Sequence, residues 1–238
     1  MSVSRHSLVP TFVATAALAA LTGISTPAVA GCSDNPGPGV DWTGCRKQNL
    51  ILRGTNLSGA NMTGTDLSTT DLRDSNLDGA NMTKANLVRS HLDSASLVGT
   101  NLNGALGYRT RFHKTNLTDS NFEKAEMQRA DFSGSTMTNV NFSKAELGRA
   151  QFAGASLENV DFDFAILARA DFRDADLGSG INFDSAYLFL ARFEGQDLSD
   201  ALGLSDAQLE LSCGDAETTL PDGLKRPESW PCDDEAVN

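Results

Sequence analysis

Three kinds of residue in this chain could do chemistry by type and spacing. The first are Cys32, Cys45, Cys213 and Cys232 with three histidines. None falls in a C-x-x-C or H-E-x-x-H arrangement, so no hydrolase or structural-metal signature is present, and His91 with His113 lacks a third ligand. The second are the paired acids Asp161/Asp163 and Asp174/Asp176, which have the residue types of a general acid and base. The third are Arg89, Arg109, Arg129, Arg149 and Arg169, which recur every twenty residues beside Lys84, Lys124 and Lys144. A guanidinium is a planar donor fork suited to oxyanions, so this series reads as an anion-binding stripe for phosphate, sulfate or an acidic polymer. The alternative is a solvated ladder neutralised by nearby acids, with Glu126 and Glu146 as the expected partners. No cofactor is expected.

The charge balance argues against nucleic acid. Acids outnumber bases 31 to 19 over 238 residues, a formal charge of −12, and binding through phosphate neutralisation needs the opposite sign. The acidity is uneven. Residues 50–199 hold 19 acids and 14 bases, whereas residues 200–238 hold 10 acids and 2 bases, so the excess belongs largely to the C-terminal part.

Residues 1–30 read as an export signal: Arg5 and His6, an apolar stretch from Leu8 to Ile24, then Ala28-Val29-Ala30 as an A-x-A cleavage site. The stretch falls short of the ~20 residues of a spanning helix, and no later stretch is apolar enough to cross a bilayer. Export places the protein in the periplasm or outside the cell, where cysteines oxidise. Four cysteines permit three pairings. Cys32–Cys45 and Cys213–Cys232 are favoured, because a long rigid segment between the two pairs would hold its ends apart. In a competing reading, Val29-Ala30-Gly31-Cys32 resembles a bacterial lipobox, and Cys32 would carry a lipid anchor.

That rigid segment is a five-residue repeat. Of the 26 positions counted in fives from Leu52 to Leu177, all but Gly107 are Leu, Met or Phe. Two residues earlier, 25 of 26 are Ala, Ser, Thr or Val, and the residue just before the large one is Asp or Asn in 15. An α-helix would spread these large residues around every face. In a short extended segment the small and large residues, two apart, point to one side. A chain that turns after each unit then buries both, and each unit completes its core only by stacking on neighbours. From Phe112 to Leu177 the large position alternates between Phe and Leu or Met. Four units per coil therefore put each kind on opposite sides of a square, with coils ~4.8 Å apart. Asn61, Asn81, Asn101, Asn121 and Asn141 stack in one column, with side chains expected to bond to the turn backbone and to each other as an amide ladder. The paired acids fall on the open convex surface of such a rod, with no cleft to desolvate them.

Stretches such as Ser58-Gly59-Ala60-Asn61-Met62 and Lys84-Ala85-Asn86-Leu87 resemble the repeat of the pentapeptide-repeat proteins, Ala-Asp/Asn-Leu followed by two variable residues. The segments Pro38 to Cys45 and Cys213 to Cys232 resemble the flanks of exported members. The resemblance implies an all-β fold, a right-handed quadrilateral parallel β-helix of about seven coils with a short C-terminal capping helix. Its parts are a signal peptide at 1–30, an N-terminal cap at 31–49, the β-helix at 50–199, and a C-terminal cap and tail at 200–238. Ser205-Asp206-Ala207-Gln208 reads as a capping box opening a helix to about Ser212, with Leu204, Leu209 and Leu211 facing the open coil. Gly107 reads either as a bulge or shifted turn or as drift that a repeat array tolerates, and the one-residue insertion at Gly178-Ser179-Gly180 reads either as such drift or as a bulge that absorbs it.

Phe164, Ile166, Tyr187 and Phe189 occupy outward positions that are usually polar, so either the C-terminal tail covers them or they form a dimer contact. Dimerisation through the C-terminal end is what the resemblance implies for some members. The functional reading is a non-catalytic exported scaffold that binds another protein in the cell envelope. The alternative, also from the resemblance, is a DNA-mimicking inhibitor or protector of a DNA topoisomerase (gyrase). No nucleophile-base pair supports an enzyme acting on polysaccharide.

Overall fold

The computed structural model describes Met1 and residues 31–232; the signal and lipobox residues before Gly31 lie outside them. The chain from Val40 onward is a coil of constant pitch. Asp41 bridges Asn61 in parallel, Arg46 bridges Asp66, Ile51 bridges Asp71 and Asn56 bridges Asn76, and each column continues in steps of twenty. These four columns are the four sides of the rod. Only three of the described segments extend far enough to pair as strands: β1 (Thr136–Thr138), β2 (Ser156–Glu158) and β3 (Asp176–Leu177), stacked in that order.

Each corner is a tight turn whose chemistry explains the repeat. The backbone N–H of Ala60 donates to the Leu57 carbonyl at 3.1 Å, and the residue between them two past the large one, Gly59, has φ +65. That is the signature of a type II turn. The N–H one residue past the large one gets no backbone partner, and the Asp or Asn two residues before it accepts it instead. Asp66 Oδ1 takes the Ser68 N–H at 3.0 Å, and Asn121 Oδ1 takes the Glu123 N–H at 2.9 Å. The small inward residue is often Thr or Ser, and its hydroxyl donates either to a carbonyl of the coil before, as Thr100 does to Leu77 at 2.8 Å, or to the carbonyl of its own turn, as Ser75 does to Leu72. The Asn column bonds to the turn backbone as expected, each Oδ1 accepting the N–H two residues on, whereas among the described residues its members are not seen to bond to each other. At 137–140 and 157–160 the branched Val140 and Val160 take the small position, no turn bond closes there, and the chain runs on as β1 and β2.

Inside, the nine phenylalanines from Phe112 to Phe193 form two stacks. Phe112, Phe132, Phe152, Phe172 and Phe193 lie parallel with centroids 4.6 to 5.4 Å apart. Phe122, Phe142, Phe162 and Phe183 form the opposite stack, and the two meet edge to face across the core, as at Phe112–Phe122 (5.7 Å). Both geometries suit the ring quadrupole.

Gly107 makes no bulge. Leu106 bridges Asn86 and Glu126 in register, and the space left by the missing side chain is taken by the next coil: a Cβ on Gly107 would lie 2.2 Å from Met127 Sδ. The insertion behaves as expected. Partners shift from twenty to twenty-one residues at Asp161↔Asn182, Gly180 turns with φ +71, and Ile181 is buried.

The rod is closed at both ends, with disulfides Cys32–Cys45 and Cys213–Cys232. At the first end Trp42 is fully buried, and Lys47 Nζ lies 4.0 Å from its ring centroid while donating to the Cys32 carbonyl. At the other, α1 (Asp206–Leu209) lies over the last coil. Its capping box is not formed: Ser205 Oγ donates to Gln208 Oε1 instead of accepting a backbone N–H. Gln208 is needed elsewhere, since its Nε2 donates to the Phe183 and Ala186 carbonyls at 2.8 and 3.0 Å and so seals the open coil. Leu209 is buried and Leu204 partly so, but Leu211 is exposed. Trp230 closes the cap, its Nε1 donating to the Ser212 carbonyl.

Gly107→Leu alone overfills the core and is expected to cost about 1–3 kcal/mol. Met127→Ala alone should cost about 2–5 kcal/mol through the cavity it leaves. Combined, the two should cost clearly less than their sum, because the introduced leucine would fill the volume Met127 vacates. Denaturant midpoints of the four proteins test this, and simple additivity would contradict the packing.

Candidate functional site: an arginine groove and an apolar face

The five arginines of the twenty-residue series all fall at corners. All five take the turn position of positive φ, from +57 to +59. Asn or Gly would cost less there, so these corners spend conformational energy to carry a cation. Arg89, Arg109 and Arg129 are exposed, while Arg149 and Arg169 are half-buried. The column borders a groove of about 430 Å³ lined by Arg109, Arg129, Arg149, Arg169, Arg173 and Arg192 with Gln151 and Asp171. In its walls Arg173 pairs with Asp171 and Arg192 with Glu194.

The expected neutralisation is not there. Glu146 accepts from the Gln128 amide, and neither it nor Glu126 pairs with an arginine of the column. Among the described residues Arg89, Arg129 and Arg149 form no ion pair, and Arg109 lies over the Tyr108 ring at 5.2 Å. The corner geometry explains this: the glutamates point out from the flat side before the corner, and the turn swings the arginines toward the next side. The strip of Lys84, Lys124 and Lys144 runs along the opposite edge of that same side, broken by Gly104, and Lys124 pairs with its neighbour Glu123.

Arg173 and Arg192 were not legible as groove residues. Arg173 belongs to a different column and grips Asp171 in a two-pronged bond, Nε at 2.9 Å and Nη2 at 2.6 Å. Arg192 pairs with Glu194. A strict twenty-residue count would place Arg192 over the inward Phe172; the insertion moves it over Asp171. Burial pushes the Asp171 carboxyl up, but the Arg173 side chain and backbone N–H together outweigh this and leave it below the ordinary carboxylate range. The same grip recurs at Asp71–Arg73, where the Arg73 side chain first of all holds the carboxyl at about 2.

An outward column of mixed charge runs Asp71, His91, Arg111, Asp131, Gln151 and Asp171, and Arg111 pairs with Asp93 outside it. Asp161 Oδ1 accepts from the Asp163 N–H and the Asn182 amide, so it too serves its turn. No group of three potential ligands that could hold a metal occurs among the described residues.

On the side between the Lys and Arg edges, Ile166 bridges Tyr187, and the rings of Tyr187 and Phe189 lie parallel at 6.2 Å. Phe164, Ile166, Tyr187 and Phe189 are 56%, 44%, 47% and 40% exposed, so the described part of the tail does not cover them. Beside them a hollow lined by Tyr187, Gly203, Ala207 and Leu211 separates the last coil from α1.

Two family descriptions match: a pentapeptide repeat region at 108–183, and pentapeptide repeats (8 copies) at 51–87, 70–106 and 85–123. Together they span more than half of the sequence. The chain belongs to the pentapeptide repeat proteins. Among solved structures, this pentapeptide-repeat chain is similar to HetL, a protein involved in heterocyst differentiation regulation from the cyanobacterium Nostoc sp. strain PCC 7120. The identity is 22%, over 77% of this chain and 88% of that one, with a TM-score of 0.38. It is also similar to QnrB1, a plasmid-mediated fluoroquinolone resistance protein, at 19% identity over 77% and 78% of the two chains, with a TM-score of 0.39. No curated protein matches it.

The two gripped aspartates set an acid limb. A carboxyl whose folded pKa lies below its unfolded value stabilises fully above the unfolded value and loses that contribution as pH falls through the folded one. Stability should therefore drop between roughly pH 4 and pH 2. Asp71→Asn and Asp171→Asn together should flatten that limb in circular-dichroism unfolding curves while leaving the neutral-pH fold intact. An unchanged slope would show that the grips do not differ between folded and unfolded chains.

Proposed function

We propose that this protein is a non-catalytic, exported scaffold of the cell envelope that binds another protein. The observation that carries the reading is how the outward side chains are used. Along most of the rod they cap turns or pair with neighbours, as Asp66, Asn121 and Asp161 do, and among the described residues none is left in a desolvated cleft with a nucleophile or base. Two disulfides, one closing each cap, support an oxidising compartment. With residues 1–30 read as a cleaved signal, the mature chain begins at Gly31. No helix among the described residues is long and apolar enough to cross a membrane.

Phe164, Ile166, Tyr187 and Phe189 are the contact for a second copy. They form one outward face on the last coils, and the hollow beside Tyr187 is large enough to accept a partner's side chain. The gyrase reading draws on the overall charge of −12, but residues 50–199 carry only 19 acids against 14 bases. A groove walled by arginines is also a poor imitation of a polyanion.

Intact mass of the protein from its native cells should correspond to a chain starting at Gly31, lighter by the four hydrogens of two disulfides until reduced. A lipid-bearing Cys32 would make it a membrane-anchored rod, and a full-length reduced chain would bring the gyrase reading forward. Light scattering should give a dimer mass, reduced to a monomer by Tyr187→Ser with Phe189→Ser. A monomer at high concentration before substitution rules the dimer contact out.

A further inference from the structure

The arginine edge of the rod differs from the other three. Each of those uses glycine at several of its positive-φ corners, as at Gly44 and Gly64, Gly134 and Gly154, or Gly59 and Gly79. From Asn49 to Arg169 the arginine edge uses none. A cation there adds a second cost, because like charges one coil apart, ~4.8 Å, repel. Asn139 and Asn159 close equivalent corners without either burden, so the turn itself does not call for arginine. Arg129 and Arg149 form no ion pair among the described residues, and the Tyr108 ring beside Arg109 steadies that side chain without bringing a negative charge. The groove along this edge is long. Its lining climbs from Arg109 past Arg129 and Arg149 to Arg192, which bridges Asp171, a span of four coil spacings or roughly 19 Å. Arg173 and Arg192, already paired with Asp171 and Glu194, give the far side its shape.

We propose that the groove binds a linear polyuronate, a polysaccharide with one carboxylate per sugar, and that Arg109, Arg129 and Arg149 take the carboxylates of successive rings. A guanidinium fork meets a carboxylate through two parallel N–H donors. Length decides for a chain over a single ion: a free phosphate would meet one or two of the arginines and leave most of the 430 Å³ unused. Pitch decides which chain. A string of six-membered sugars advances roughly 5 Å per ring, the width of a ring of ~1.5 Å bonds with its linking oxygen, so one carboxylate arrives per coil. An extended acidic peptide presents its same-side carboxylates roughly 6.6 Å apart and falls out of step with the arginines within two coils. The inference goes beyond the scaffold reading and needs no protein partner, so its failure would leave that reading as it stands.

The test titrates polygalacturonate into the disulfide-bonded protein at low salt, by calorimetry. Binding should be measurable and should weaken as salt is raised. Arg109→Asn, Arg129→Asn and Arg149→Asn together should weaken it by about tenfold or more; asparagine suits left-handed corners, as Asn139 and Asn159 do, so the fold is kept. Lys84→Asn, Lys124→Asn and Lys144→Asn remove the same charge from the neighbouring edge, at corners with φ +55 to +60. They should change binding by less than about threefold, the share of net charge alone. Equal losses from the two triple substitutions overturn the proposal, and so does an absence of binding by the unaltered protein. Polyglutamate binding as tightly through the same arginines would make the groove a peptide site. Inorganic phosphate displacing the polymer at matched charge would make it a single-ion site. Either result also overturns the proposal.

Discussion

The parallel backbone bond between a residue and its counterpart twenty positions on is the constraint from which the rest of this molecule follows. It fixes the pitch, and with the pitch the separation of every side chain in a column. Buried Phe rings can stack face to face because the coil spacing delivered by the backbone is close to the spacing that offset aromatic rings prefer. A core of this kind has no long-range folding puzzle within a layer, since each coil is completed by the coils on either side.

The same constraint decides the surface. At the corners one N–H is left without a backbone acceptor, and Asp or Asn two residues earlier supplies it, as at Asp66 and Asn121. Those polar residues are thus committed to the turns, and the many acids of the rod are mostly structural. What stands out against that background is the outward material that caps nothing: four apolar side chains on the last coils and a line of arginines at strained corners. Both lie toward the C-terminal end, one on a flat side and the other along its edge.

Much of this was legible because the repeat has a physical period. The inward positions, the four-sided section, the alternating Phe layers and the cap pairings all follow from spacing and residue size. Failures came where a neighbour in space overrode a local rule. Gly107 reads as a defect in its own unit, but Met127 from the next coil makes the layer whole. Ser205 and Gln208 have the right types for a capping box, yet the exposed carbonyls of Phe183 and Ala186 claim the glutamine. Glu126 and Glu146 sit three residues from arginines, but a corner intervenes. Arg173 and Arg192 join the groove only through the groove's shape and the inserted residue, and neither is visible in a fixed count of twenty.

The insertion at Gly178-Ser179-Gly180 also says something about how such a molecule can change size. One extra residue is accommodated because glycines flank a corner that can swell, and the columns that cross it meet their partners one residue later, at Asp161↔Asn182, Ile166↔Tyr187 and Asp171↔Arg192. In the regular coils before it, paired in steps of twenty, a stray residue without such a corner would turn buried side chains outward along the rod beyond it. Twenty residues, by contrast, would pass unnoticed by every column, because each neighbour would simply meet the next copy of itself. Length in this architecture is therefore quantised. The rod is a ruler whose smallest division is one coil, ~4.8 Å, and the distance between its two disulfide-locked ends can be reset by whole divisions without redesigning either end.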